Sequence, residues 1–155
     1  KRGYGYSICY TVSLFNADHW PDFINWVYNK EILKHQDAFS TNFVLNNQIN
    51  GQILDTETKK EISDKLETFK NSLLEKELSN KERFALVSAT SSIQKFVNTD
   101  YNYPEISLRK ARIYFYDYIT RLDKMRGTNF LETFPNLHRF YYICKEIHDT
   151  EMGSH

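Results

Sequence analysis

The stretch Leu122-Asp123-Lys124-Met125-Arg126-Gly127-Thr128-Asn129-Phe130-Leu131-Glu132-Thr133-Phe134-Pro135 decides how the second half of the chain folds. It closes one amphipathic helix, turns at a glycine and opens another helix. Lys124 and Arg126 fall in a last turn, where the helix dipole favours cations. Gly127 follows at the place of a left-handed C-cap. Thr133 is the N-cap candidate for the next helix, with Pro135 in its first turn. Backwards from this stretch, Ser107 to Arg126 reads as one long helix. Leu108, Ala111, Phe115, Tyr118, Leu122 and Met125 form its predicted stripe, widened by Ile113, Tyr114, Tyr116 and Ile119. Forwards, a last helix is predicted from Thr133 to Ile147, facing inward with Leu137, Phe140, Tyr141, Cys144 and Ile147.

The N-terminal half contains the strand signal. From Tyr6 to Phe15 the residues alternate, Tyr6, Ile8, Tyr10, Val12 and Leu14 against Ser7, Cys9, Thr11 and Ser13, which predicts a strand with one apolar face. A helix then opens with Asp18 as N-cap candidate and Pro21 in its first turn, burying Trp20, Phe23, Ile24 and Val27. Asn42 to Asn46 predicts a short second strand, followed by turn residues. Asp55 to Leu74 is helical, with a seam of Ile62, Leu66, Phe69 and Leu73. Its cap is Asp55 or a Thr58–Glu61 capping box. Ser79 and Glu82 make a further capping box, opening a helix that buries Leu86, Ala89, Ile93 and Phe96. The prediction is one predominantly α-helical α+β domain over residues 1–152, with about five helices, one N-terminal strand and a short second one. A lone strand leaves backbone donors and acceptors that need partners. They come from Phe43–Asn46, from a second copy, or from a sheet upstream of Lys1.

Composition narrows the function classes. The chain has 155 residues, enough for one core with 41% hydrophobic residues. Its formal charge is zero, so no global field draws it to nucleic acid or anionic lipid. Arg109, Lys110, Arg112, Arg121 and Lys124, interleaved with Tyr114, Tyr116 and Tyr118, form a basic stretch. Asp117 and Asp123 interrupt it, which makes nucleic acid a disfavoured partner. No apolar run has membrane-spanning length. Cys9 and Cys144 lie far apart, without CxxC spacing, so neither a disulfide framework nor a zinc site is expected and a cytoplasmic setting is. His19, His35, His138 and His148 show no metal-ligand spacing. Met152 to His155 reads as the remnant of a purification tag at 153–155, and Lys1-Arg2 without Met as the start of a fragment of something longer.

Tyr118 to Leu137 resembles the C-terminal part of a family of radical SAM proteins that carry an auxiliary iron–sulfur segment. Members show a pattern like LDK-x-R-x-T-(N/D)-F-x-x-x-FPEL near their end. Thr11 to Asn16 is similar to that family's late barrel strand, Trp20 to Trp26 to the helix after it, Ile53 to Leu66 to its LP-x-x-x-K helix start, and Ile93 to Asp100 to a further segment. This chain has Leu54-Asp55 where the family has Leu-Pro and Asn136 where it has Glu. It lacks CxxxCxxC and any Gly-rich SAM-binding segment. A cluster of that kind needs three thiolates, so the resemblance implies no catalysis and no cofactor in this chain. S-adenosylmethionine and the iron–sulfur cluster would belong to the parent protein. The implied role is a helical lobe that closes a barrel and binds substrate or partner, against either the upstream portion of the same protein or a second copy.

Two groups of candidate site residues follow. Ser13 and Asn16 end the first strand at the carboxyl edge, where α/β folds bind ligands. In a barrel they would touch the cofactor; otherwise Asn16 is a turn or cap residue. Asp123, Arg126 and Asn129 are the ligand-binding candidates, with Arg126, Gly127, Thr128 and Asn129 offering donors to a carboxylate or phosphate. The alternative for Asp123 and Arg126, at i and i+3, is a surface ion pair of about 0.2–0.5 kcal/mol.

Overall fold

A computed structural model describes residues 8–30 and 39–153. The predicted strand is present as β1, Ile8–Val12. Its side chains alternate, with Val12 fully buried and Cys9 and Thr11 exposed. The strand ends because Asn16 folds the chain back: its Oδ1 accepts from the Ser13 N–H at 2.8 Å and its Nδ2 donates to the Thr11 carbonyl at 3.0 Å. A 3-10 turn at Ala17–His19 leads into α1, Trp20–Asn29, with Pro21 in the first turn as predicted. Asp18 is not its cap. The 3-10 turn moves the helix start one residue past it, and the Asp18 carboxylate instead accepts from Asn136 Nδ2 at 2.9 Å.

The second strand, β2, is Phe39–Phe43, earlier than the predicted Asn42–Asn46. It runs parallel to β1, Ile8 opposite Phe39 through Val12 opposite Phe43. With α1 as the crossover, this is a β-α-β unit. Tyr10, Val12 and Phe43 face inward, while Cys9, Thr11, Ser40 and Asn42 form an exposed polar face. Among the described residues neither strand has a second neighbour. The predicted start of the strand at Tyr6 and Ser7, His35, and Ser154 and His155 of the predicted tag remnant lie outside the described residues.

The middle helices follow their caps. Helix α2, Thr56–Ser72, is capped by Asp55, whose carboxylate accepts from the Thr58 N–H at 3.1 Å and the Thr58 hydroxyl at 2.6 Å. Helix α3, Asn80–Asn98, starts with the Ser79–Glu82 capping box. The two seams named above are buried and pack against each other. Phe96 also stacks on Phe43 of β2, ring centroids 4.5 Å apart. Gly51 lets that ring approach, since a Cβ there would sit 3.2 Å from it.

Helix α4, Leu108–Arg126, is capped by Ser107 and ends at Gly127 with φ 65° and ψ 32°, the left-handed cap expected. Its buried row is Ala111, Phe115 and Ile119. That i, i+4 spacing slants across the helix, so Leu108 and Met125, at the ends of the predicted stripe, are 37% and 80% exposed. The continuous helix predicted from Thr133 is broken. A single turn, α5, spans Phe130–Thr133, a 3-10 turn follows at Pro135–Leu137, and α6 runs over His138–Met152. Thr133 ends α5 rather than capping the last helix, its hydroxyl donating to the Asn129 carbonyl at 3.3 Å. The cause is Pro135, which lacks an N–H and pushes Phe134 out of helical conformation, to φ −128° and ψ 65°. Helix α6 packs on α4 and buries Phe140 and Cys144. The fold is thus predominantly helical α+β with one continuous core.

Candidate ligand-binding cleft

The Gly127 turn brings the predicted residues together but divides their work. The Asp123 carboxylate turns back on the chain. Its Oδ1 accepts from the Thr128 hydroxyl at 2.9 Å and its Oδ2 from the Phe130 N–H at 2.8 Å, while its carbonyl accepts from the Thr128 N–H at 3.2 Å. Asp123 therefore fixes the turn and supplies the first N–H of α5 with an acceptor. Asn129 caps the same turn: its Oδ1 accepts from the Leu131 N–H at 3.0 Å, and its Nδ2 reaches Glu132 at 3.3 Å. The anticipated Asp123–Arg126 ion pair does not form, because the carboxylate is committed to the turn. Arg126 is exposed and makes no ion pair among the described residues.

Arg126 lies on the wall of a cleft of about 330 Å³. Asp123, Thr128 and Thr133 supply polar groups there, and Tyr118, Leu122, Phe15 and Phe134 apolar surface. The aromatic floor is continuous. Phe15 stacks on Phe134 at 5.1 Å, Phe130 lies 5.2 Å from Phe134, and Phe115 meets Phe130 and Phe140 at 5.6 and 4.8 Å. Phe15 comes from the turn after β1, so the carboxyl end of the strand and the α4–α5 corner meet at one site. Sequence reading missed Phe15, Phe130 and Phe134 as site residues, although Phe130 and Phe134 stand at i, i+4 inside the decisive stretch.

Ser13 and Asn16 stand behind Phe15 and hold its turn. Ser13 is buried and donates through its hydroxyl to Asn16 Oδ1 at 3.3 Å, while the Tyr10 hydroxyl donates to the Asn16 carbonyl at 2.7 Å. Burial and the nearby Asp18 and Asp22 carboxylates push the Tyr10 phenol well above its usual range. Behind Phe130, Tyr141 lies 5.7 Å from its ring, and burial, then a hydrogen bond with Tyr116, pushes its phenol up to about 12.

The remaining candidates disperse. Arg109 pairs with Glu151 at 2.9 Å, and Arg112 donates to the Ile53 and Leu54 carbonyls at 2.9 and 3.2 Å, so two cations of the basic stretch are engaged within the protein. His148 approaches Asp117 at 3.2 Å. Cys9 sits on the exposed sheet face and Cys144 in the core, where burial raises its thiol pKa. These two thiols, one exposed and one in the core, do not fit the three-thiolate demand of a radical SAM cluster. Among the described residues no helix is long and apolar enough to cross a membrane. The chain matches no family model, no curated protein and no solved structure.

Proposed function

We propose that this chain is a non-catalytic helical lobe of a radical SAM-like protein, working in the cytoplasm and binding substrate or partner at the Arg126 cleft. The observation that carries this is the convergence of the two stretches behind the resemblance. The carboxyl end of β1, through Phe15, and the Gly127 corner, through Phe130 and Phe134, line one cavity whose wall carries a guanidinium with no ion pair among the described residues. An aromatic floor beside a cation suits an anion with an apolar body, such as an aryl carboxylate. In this reading the parallel β1–β2 pair is the margin of a larger sheet, because two strands alone are marginal in water and neither has a second neighbour among the described residues.

Two measurements test it. NMR titration with 3-phenylpropionate is expected to shift the amides of Thr128 and Phe130, with the shifts lost in Arg126→Ala and retained in Arg126→Lys. Shifts that survive Arg126→Ala would remove the cleft from the proposal. For the lobe itself, the coding sequence upstream of Lys1 is expected to encode CxxxCxxC in the same frame. A second reading, a free-standing interaction module that pairs β1 or β2 with a second copy, draws on strand edges that have no further neighbour among the described residues. A dimer by light scattering, together with a frame lacking that motif, would favour it.

A further inference from the structure

A second cleft, larger than the first at about 620 Å³, lies between the start of α2, the end of α3 and the first half of α4. Three cations from two helices, Lys59, Lys60 and Arg112, line it, against one carboxylate, Asp100. Lys59 is held in place by donating to the Thr99 carbonyl at 3.2 Å, and burial lowers its pKa from the usual lysine value. Arg112 spends two of its five donors on the Ile53 and Leu54 carbonyls. Lys60 is exposed, and none of the three makes an ion pair among the described residues. Elsewhere Lys65 pairs with Asp22 and Lys70 with Glu67. The cleft also presents Gln52, Ser63 and Tyr101, and its apolar wall is Leu54 and Leu108.

We propose that this cleft binds a small organic phosphate. Three convergent cations outnumber the carboxylates that act on them, Asp100 in the cleft and Asp55 beneath it, and the remaining positive charge favours an anion. The guanidinium fork and the ammonium donors match phosphate oxygens. The volume is that of a small-molecule site rather than of a polymer groove, and the apolar wall would take the organic portion. This site is separate from the Arg126 cleft and stands without it.

The test is calorimetric titration of the full chain with inorganic pyrophosphate at low salt, with citrate as a polycarboxylate control. Binding is expected to weaken about tenfold or more in Lys60→Glu and in Lys59→Gln, by loss of a charge-assisted contact, and to be unchanged in Lys124→Glu, a charge reversal in the last turn of α4. Lys60 has no hydrogen-bonded partner among the described residues, so an unaltered melting curve for Lys60→Glu keeps the test clear of misfolding. Failure to bind pyrophosphate, equal weakening in all three variants, or citrate binding as tightly as pyrophosphate would each overturn the proposal.

Discussion

Asp123 and Arg126 stand one helical turn apart and have opposite work. Asp123 satisfies the Thr128 hydroxyl and the Phe130 N–H, so Asp123→Ala should lower stability by about 1–2 kcal/mol, the range of a lost cap. Arg126 is exposed and forms no ion pair among the described residues, so Arg126→Ala should leave stability within about 0.5 kcal/mol. Urea midpoints of the two variants check the division, and equal midpoints would refute it. Tyr141 gives a second residue-scale expectation. Its folded pKa is raised to about 12, above the unfolded value of about 10. The neutral phenol therefore stabilises the fold fully below about pH 10, and that contribution is lost as pH rises towards 12. Tyr10 and Cys144 shift in the same direction for the same reason, burial. Melting temperature should fall from pH 9.5 upward, and the fall should be shallower in Tyr141→Phe.

At the scale of elements, the turn between α4 and α5 depends on one backbone conformation. Gly127 has φ 65°, and a Cβ placed there would meet no atom within 4 Å. Any cost of substitution is then conformational, not steric. Gly127→Ala should cost about 1–2 kcal/mol, and Gly127→Asn less, since Asn tolerates the left-handed region. Thermal melts of both check the order. This cap was legible in the sequence because its signal is local: a cationic last turn, then glycine. The same holds for Asp55, for the Ser79–Glu82 box and for the seams of α2 and α3, where cap and spacing lie on one element. What was not legible depended on neighbours. The start of β2 at Phe39 is set by its register against Ile8, not by its own pattern. The buried row of α4 is tilted by what packs on it, which no spacing within α4 reveals. Pro135 was read as a helix opener, but its effect on Phe134 produced a one-turn helix and a break. For the site, residue positions were legible and directions were not. An i, i+3 spacing brings Asp123 near Arg126, yet only the folded turn decides that the carboxylate points to Thr128 and Phe130.

At the scale of the whole molecule, helix packing and the sheet are unequal in strength. Phe115, Phe140, Leu66, Leu86 and Ile93 are fully buried in one core shared by α2, α3, α4 and α6. The sheet has two five-residue strands in parallel, one polar exposed face and no second neighbour for either strand among the described residues. Parallel pairing is slightly weaker per residue than antiparallel, and two strands alone are marginal in water. What holds them is the inner face, where Phe43 packs on Phe96 and Tyr10 lies 5.1 Å from Trp20. Opening the strands exposes those contacts but leaves the helical core intact, so it should cost less than global unfolding. In hydrogen exchange of the free chain, amides of Cys9–Thr11 and Ser40–Asn42 should therefore exchange faster than those of Phe115–Ile119. Pairing with a further strand, from a second copy or from a parent sheet, would close an open edge and slow that exchange. Equal protection of strands and α4 in dilute monomer would mean that the pair is already complete, and the case for a missing strand partner would lose its physical basis.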